Sequence, residues 1–293
     1  MASPQSSSMQ HDPSLSPERP GWDALLLAVL LIARLRINSM AEAGLFEHFE
    51  NVTTHSLLGR ILSDQAEAAF GPWFGDPVAL LLTALSIGAL IIYLIVDLLG
   101  RGEAGGNEIW RYRLKLLLIW SIIAFTLLLP ALKLALLRHE NLPHSYSHDG
   151  GVIQTEATID YFLSGRNPYV EDYRNTPMAE WGLEQFRTAL DHYPYLPWTF
   201  VFSAPFKLVS DGILGWYDQR FVYLLVFVIG LLFAVQLAPR GRSRWRLGLL
   251  MILGLNPIMG LDLIFGQNDL FVWAWIVVAL WLLARWIGKT TST

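Results

Sequence analysis

Three carboxylates stand out in a chain otherwise poor in charge. Asp149, Glu156 and Asp160 are spaced seven and then four apart, so a helix starting near Asp149 carries all three along one stripe. Clustered carboxylates repel, and a purely structural helix gains nothing from that. Such a group suits a general base, where one ionised carboxylate takes a proton from a hydroxyl, or a cation site. The plainer alternative is a solvated helix face. His148-Asp149-Gly150-Gly151 reads as a helix start, with Asp149 as cap and the paired glycines allowing close backbone approach to a ligand. Gly165 closes the helix and Asn167-Pro168 forbids its continuation, which predicts a helix of roughly fourteen residues.

The elements that must hold this stretch are membrane elements. The chain has 293 residues, 53% hydrophobic and 16% charged, with a mean hydropathy of +0.39, whereas a soluble domain carries about a quarter charged residues. This predicts an all-α, polytopic membrane protein. The cysteine count of zero removes disulfides and thiolate metal sites, and nothing points to nucleic acid. Residues 1–21, polar and Ser/Pro-rich, read as a disordered cytoplasmic tail. Apolar runs predict about six spanning helices, at 22–37, 77–99, 114–137, 223–237, 247–258 and 270–287. In the first of these Arg34 and Arg36 are expected to snorkel to the membrane surface.

Loop charge sets the orientation. The loop 38–76 holds six acids against Arg60, while Arg101, Arg111 and Arg113 follow the second span and four arginines without an acid occupy 239–246. By the positive-inside rule the latter two are cytoplasmic, so 138–218 and 262–269 form an external layer containing helices. Within it 196–209 is apolar but interrupted by Pro197 and Pro205, and is expected to be a re-entrant or interfacial segment.

The external motifs, in order, are His148-Asp149-Gly150-Gly151, Gly165-Arg166-Asn167-Pro168-Tyr169, Tyr193-Pro194-Tyr195-Leu196-Pro197, Tyr217-Asp218-Gln219-Arg220, and the run 256–269 ending Gly266-Gln267-Asn268-Asp269. The ordered set resembles the GT-C class of membrane glycosyltransferases, the polyprenol-phosphate-sugar-dependent, mannosyltransferase-like branch, over roughly 114–287. The resemblance matches Asp149 to the catalytic acid of the first external loop, Gly165 to Tyr169 to the turn, and Gly266-Gln267-Asn268 to the later motif. It implies a core at 114–288 with an external catalytic loop at 138–218, and the chain departs from the family in placing two extra spans, at 22–113, before that core. Members of the class carry several more spans after the one that follows Gly266-Gln267-Asn268-Asp269, so the chain reads as the N-terminal part of the usual enzyme, as a half that works with a partner, or as a protein that keeps the acceptor side without catalysis. The implied activity is transfer of a sugar from a polyprenyl-phosphate donor to a glycan, lipid or protein acceptor at the extracytoplasmic face, within the cell envelope.

Inverting transfer of this kind needs one base for the acceptor hydroxyl and donors for the leaving phosphate. A retaining route with two carboxylates about 5 Å apart stays open. His148, Arg166, Arg174 and Arg220 are candidates for the phosphate. Against that, Arg166 could simply complement a helix C-terminus, and Arg220 could simply pair with Asp218. Glu156, Asp160, Asn167, Tyr169, Tyr195, Gln267, Asn268 and Asp269 complete the candidate substrate-binding set. The aromatic group Tyr193, Tyr195, Trp198 and Trp216 suits either stacking on a sugar or a membrane-surface belt.

Histidine spacing gives no zinc pattern. A divalent cation, Mg or Mn, on the acid stripe or on Asp262 and Asp269 stays open. Two other classes compete: a membrane transporter, and a non-catalytic lipid- or glycan-binding subunit. Transporters gather ionisable groups at mid-bilayer, whereas these acids gather outside the spans. The transferase reading carries a geometric expectation: Asp149 and 267–269 line one external cleft, Arg220 or Arg166 points into it, and 196–209 forms a wall.

Overall fold

The computed structural model describes residues 21–45, 76–99, 108–142, 146–147, 150–180, 187–239 and 242–290, side chains excepted at 39–45, 150, 187 and 288–290. The expected tail, most of the first loop, and the candidates His148 and Asp149 lie outside the described residues. The fold is all-helical, 81% helix with no strand among the described residues. In chain order the helices are α1 (Trp22–Leu45), α2 (Pro77–Leu99), α3 (Glu108–Glu140), α4 (Gly150–Leu163), α5 (Pro197–Leu214), α6 (Arg220–Val235), α7 (Ser243–Gly254), α8 (Pro257–Phe265) and α9 (Asp269–Thr290). Short 3-10 turns lie at Pro177–Glu180 and Arg187–Leu190.

Three helices, α2, α3 and α9, are long and apolar enough to cross a membrane, and α7 with α8 passes that test only as a pair bent by 50°. Their outward faces carry exposed apolar side chains such as Leu81, Ile91 and Leu98 on α2 and Ile276, Leu280 and Leu283 on α9. Water would penalise that surface at roughly 25 cal/mol per Å², and a lipid environment removes the penalty. At 16 residues α6 is apolar but shorter.

The rods alternate between two ends of the bundle. At one end Lys115 of α3 bridges Asp23 of α1 at 2.7 Å and Asp97 of α2 at 2.6 Å, and Trp22 packs on Trp245 before α7 continues inward. The starts of α1, α3 and α7 thus meet the ends of α2, α6 and α9. At the other end α4, α5 and the 3-10 turns form a cap over the bundle.

Four local findings differ from the sequence reading, each for a physical reason. Arg34 does not snorkel; it is 0% exposed. The run expected to end at 258 breaks after Gly254, because Pro257 cannot donate into the preceding turn, and resumes as α8. Arg34 Nη1 donates to the carbonyl of Pro257 at 2.8 Å, covering backbone that the break exposes. Its guanidinium lies flush on Gly260, where an added Cβ would stand 1.8 Å from Nη1.

The third span runs past its expected 114–137 to Glu108–Glu140. It opens into a π-turn at Ala124–Leu128. Pro130 has no N–H for the Thr126 carbonyl, and Asn38 of α1 supplies one from its amide at 2.8 Å. Finally, 196–209 belongs to one 18-residue helix, α5, which holds Pro205 inside and ends at Gly215 with φ +76°. Phe200, Ser203 and Ala204 of α5 are buried, while Trp198, Val201, Leu208, Val209 and Ile213 are exposed. That two-sided pattern suits a helix lying along an apolar boundary.

Candidate functional site

The helix α4 spans the fourteen residues that its cap signals predict. It closes in a Schellman arrangement: Gly165 N–H donates to the Phe162 carbonyl, Arg166 N–H to the Tyr161 carbonyl, and Gly165 takes φ +78°. This fixes the helix in register, so Glu156 and Asp160, one turn apart, face the same way. Both line a cleft of about 440 Å³ between α4, the end of α3, α5 and the approach to α6. Its size falls within the range of about 300–1,000 Å³ typical of small-molecule sites.

A chain of alternating charge forms the floor of the cleft. Arg138, in the last turn of α3, donates to both Glu156 oxygens at 2.9 and 2.6 Å and to Asp218 Oδ2 at 2.9 Å. Asp218 in turn accepts from Arg220 Nε at 2.8 Å, Nη2 at 2.7 Å and its backbone N–H at 2.9 Å. Glu156 also accepts the Gln219 N–H at 2.9 Å. The order is Glu156, Arg138, Asp218, Arg220: two negative and two positive groups, with no net charge. Buried ions are tolerated only when paired and hydrogen-bonded in this way.

The two carboxylates are not equivalent. Burial works against the charge of Asp218, but the guanidinium of Arg220 and then that of Arg138 outweigh it and hold the acid at about 2. Glu156 has Arg138 alone. Burial pushes its carboxyl up from the ordinary value, and the pull of Arg138 does not cancel that rise. Of the two, Glu156 is the carboxylate held by a single guanidinium, and 15% of its side chain remains exposed to the cleft.

The walls are aromatic and polar. His139 stacks on Trp216 with ring centres 4.3 Å apart and planes 12° from parallel. Tyr217 donates to Gln219 Oε1 at 2.7 Å, and Gln219 Nε2 donates to Ser203 at 2.8 Å. Burial, and then the charge on Glu156, keep the Tyr217 phenol protonated well above its usual range. Lys207 of α5 reaches Asp160 at 3.3 Å and Asp211 at 3.1 Å, so α5 does contribute a wall.

The other candidates fall elsewhere. Arg220 is 0% exposed and donates further to the carbonyls of Tyr146 and Ile264 at 2.9 and 3.3 Å; it pairs with Asp218 and does not face the cleft. Arg166 pairs with Glu171 and covers the Tyr161 ring, while Arg174 pairs with Asp191. Asn167 caps the turn by accepting the Tyr169 N–H at 3.1 Å, and the Tyr169 hydroxyl donates to the Tyr195 carbonyl at 2.7 Å. The aromatic set divides likewise: Tyr193 is buried on Thr155 and Trp198 packs on Phe202 and Trp275, so only Trp216 lines the cleft.

Gln267, Asn268 and Asp269 do not line this cleft either. Their turn nevertheless meets the start of α4. Gly266, at φ +83°, is so close that an added Cβ would lie 2.1 Å from Val152 Cγ2 and 3.2 Å from Arg220 Cγ. The Tyr223 hydroxyl donates to the Gly151 carbonyl at 2.9 Å alongside. The two motifs are therefore packed together by backbone and apolar contact.

No described group of three or more carboxylates or histidines is placed to hold a metal ion. The acids nearest the cleft do not fit one, since Glu156 and Asp218 are already held by guanidinium groups. Sequence reasoning missed Arg138 and Lys207, which look like ordinary helix-end and interfacial cations, and took Asp218 only as a partner for Arg220. Neither a protein family, nor a curated protein, nor a solved structure matches this chain. The meaning of the cleft rests on its own geometry.

Proposed function

We propose that the chain is a membrane glycosyltransferase with six spanning helices, working on a polyprenyl-phosphate-linked sugar at the extracytoplasmic face of a bacterial inner membrane. The observation that carries this reading is the cleft itself: a partly exposed carboxylate, an aromatic wall and a lysine share one cavity beside a helix with an exposed apolar face. In the proposed step the acceptor hydroxyl attacks the anomeric carbon and its proton passes to a carboxylate. The bond from that carbon to the phosphate oxygen breaks, and the electron pair leaves on the polyprenyl phosphate. Glu156 is the base that the cleft geometry favours, and Asp149 the one that the family resemblance favours. Lys207 offsets the charge on the leaving phosphate. The apolar side of α5, at Leu208, Val209 and Ile213, suits the polyprenyl chain.

A second reading, a non-catalytic glycan- or lipid-binding subunit, draws support from the ion pairs that already occupy Glu156 and Asp218. Both readings require binding in the cleft, which can be measured by tryptophan fluorescence titration of the solubilised protein with short-chain polyprenyl-phosphate sugars. Trp216→Ala is expected to weaken binding about 3- to 10-fold, and Lys207→Ala is expected to weaken it for phosphate-bearing ligands only. Binding that ignores both substitutions would remove the cleft from the proposal.

A further inference from the structure

At the opposite end of the bundle from the cleft, a second cavity of about 260 Å³ lies between the ends of α6 and α9 and the starts of α3 and α7. Tyr112, Val235, Gln236, Arg246, Trp281 and Arg285 line it. Two guanidinium groups thus face one small space whose lining contains no carboxylate. The amide acceptor in the lining is already used: Gln236 Oε1 accepts the Trp281 indole N–H at 3.1 Å, and its amide donates to the Leu232 carbonyl at 3.1 Å. Arg285 lies over the Trp281 ring at 4.7 Å. Arg246 Nε is buried with no hydrogen-bond partner among the described residues.

A buried guanidinium N–H without an acceptor costs on the order of 1–3 kcal/mol. An anion entering here would meet one unpaired buried donor and a second cation held in place by stacking. We propose that this cavity binds a phosphate-ester anion, and that its source is the headgroup of an anionic membrane phospholipid.

Two observations favour a lipid over a soluble phosphate. Exposed tryptophans ring this end, Trp110 at the start of α3, Trp245 at the start of α7 and Trp286 near the end of α9, and tryptophan concentrates at the headgroup level of a bilayer. Apolar side chains flank the cavity, with Leu232 and Leu282 exposed beside it, which gives acyl chains a surface. Basic pockets between helices at the cytoplasmic side have this chemistry. The site would seat a lipid where α3, α6, α7 and α9 meet. The inference rests on the membrane reading of the apolar helices and not on the transferase reading.

The test uses the whole chain in nanodiscs of phosphatidylcholine with or without phosphatidylglycerol, read by native mass spectrometry and thermal unfolding. The wild type should retain phosphatidylglycerol over phosphatidylcholine by about tenfold and unfold at higher temperature with it. Arg246→Gln with Arg285→Gln should lose the preference. Gln236→Glu provides a check that does not depend on removing a cation: an internal carboxylate should answer the arginines, stabilise the protein in phosphatidylcholine alone and abolish the response to phosphatidylglycerol. Equal retention of phosphatidylglycerol in wild type and both variants would overturn the proposal. Stabilisation by inorganic phosphate in phosphatidylcholine nanodiscs, as large as that by phosphatidylglycerol, would overturn the lipid assignment.

Discussion

Replacing Arg138 by methionine separates the two carboxylates that it joins. The substitution removes three charge-assisted hydrogen bonds at 2.6–2.9 Å. Asp218 keeps Arg220 on both oxygens, so its charge stays answered. Glu156 keeps only the Gln219 N–H. Breaking a buried pair costs about 3–5 kcal/mol when the remaining charge has no answer. Glu156 is partly exposed, so solvent screens part of its charge, and a loss of about 2–3 kcal/mol is expected.

The pH dependence has a definite sign. A carboxyl raised in the folded state penalises folding once ionised; that penalty is absent below the ordinary value near 4.5 and complete above the folded value. Arg138→Met should therefore be closest to wild type near the ordinary carboxylate value and fall further below it as pH rises, as read by thermal unfolding in detergent. Adding Glu156→Gln removes the orphaned charge and should return about 1–2 kcal/mol. A double variant no more stable than Arg138→Met, with no pH dependence in either, would mean that Arg138 matters only through packing.

Acid should act on Asp218 in the opposite sense. Its folded value of about 2 lies below the ordinary 3.8, so it contributes stability above pH 4 that is lost as pH falls towards 2, on the order of 2 kcal/mol; acid titration of wild type and Asp218→Asn checks this. Gly266→Ala forces a side chain into φ +83° and against Val152, which should cost about 2 kcal/mol or more. Adding Val152→Ala should relieve only the contact part, as unfolding measurements would register. For orientation, Glu171→Cys and Ser243→Cys should be labelled from opposite sides of intact cells, and labelling from the same side would contradict the six-span proposal.

Local chemistry was legible in the sequence and long-range pairing was not. The bounds of α4 follow from Gly150-Gly151 and Gly165-Arg166-Asn167-Pro168, because caps and breakers act within a turn or two. The placing of Glu156 and Asp160 on one stripe follows from helical spacing. That Glu156 would meet Arg138 and Asp218, 80 residues apart from each other, depends on how α3, α4 and the approach to α6 pack, and no local signal carries that. Arg34 was misread for the same reason: its partner is the helix break at Asn256-Pro257, 222 residues away. In α5, Pro205 reads locally as an interruption, yet the helix tolerates it because one lost bond is outweighed by the apolar face packed on α4.

The transferase proposal meets its most direct test in turnover. Purified protein in nanodiscs would be incubated with a panel of polyprenyl-phosphate-linked sugars and with membrane extract as acceptor, and free polyprenyl phosphate would be followed by mass spectrometry. The proposal predicts release from at least one donor, lowered about 10² to 10⁴-fold by Glu156→Gln or by Asp149→Asn in protein that still folds. The residue whose loss is larger is the base. Release unchanged in both variants, or no release from any donor while the cleft still binds sugar, would contradict catalysis and leave the binding subunit as the function.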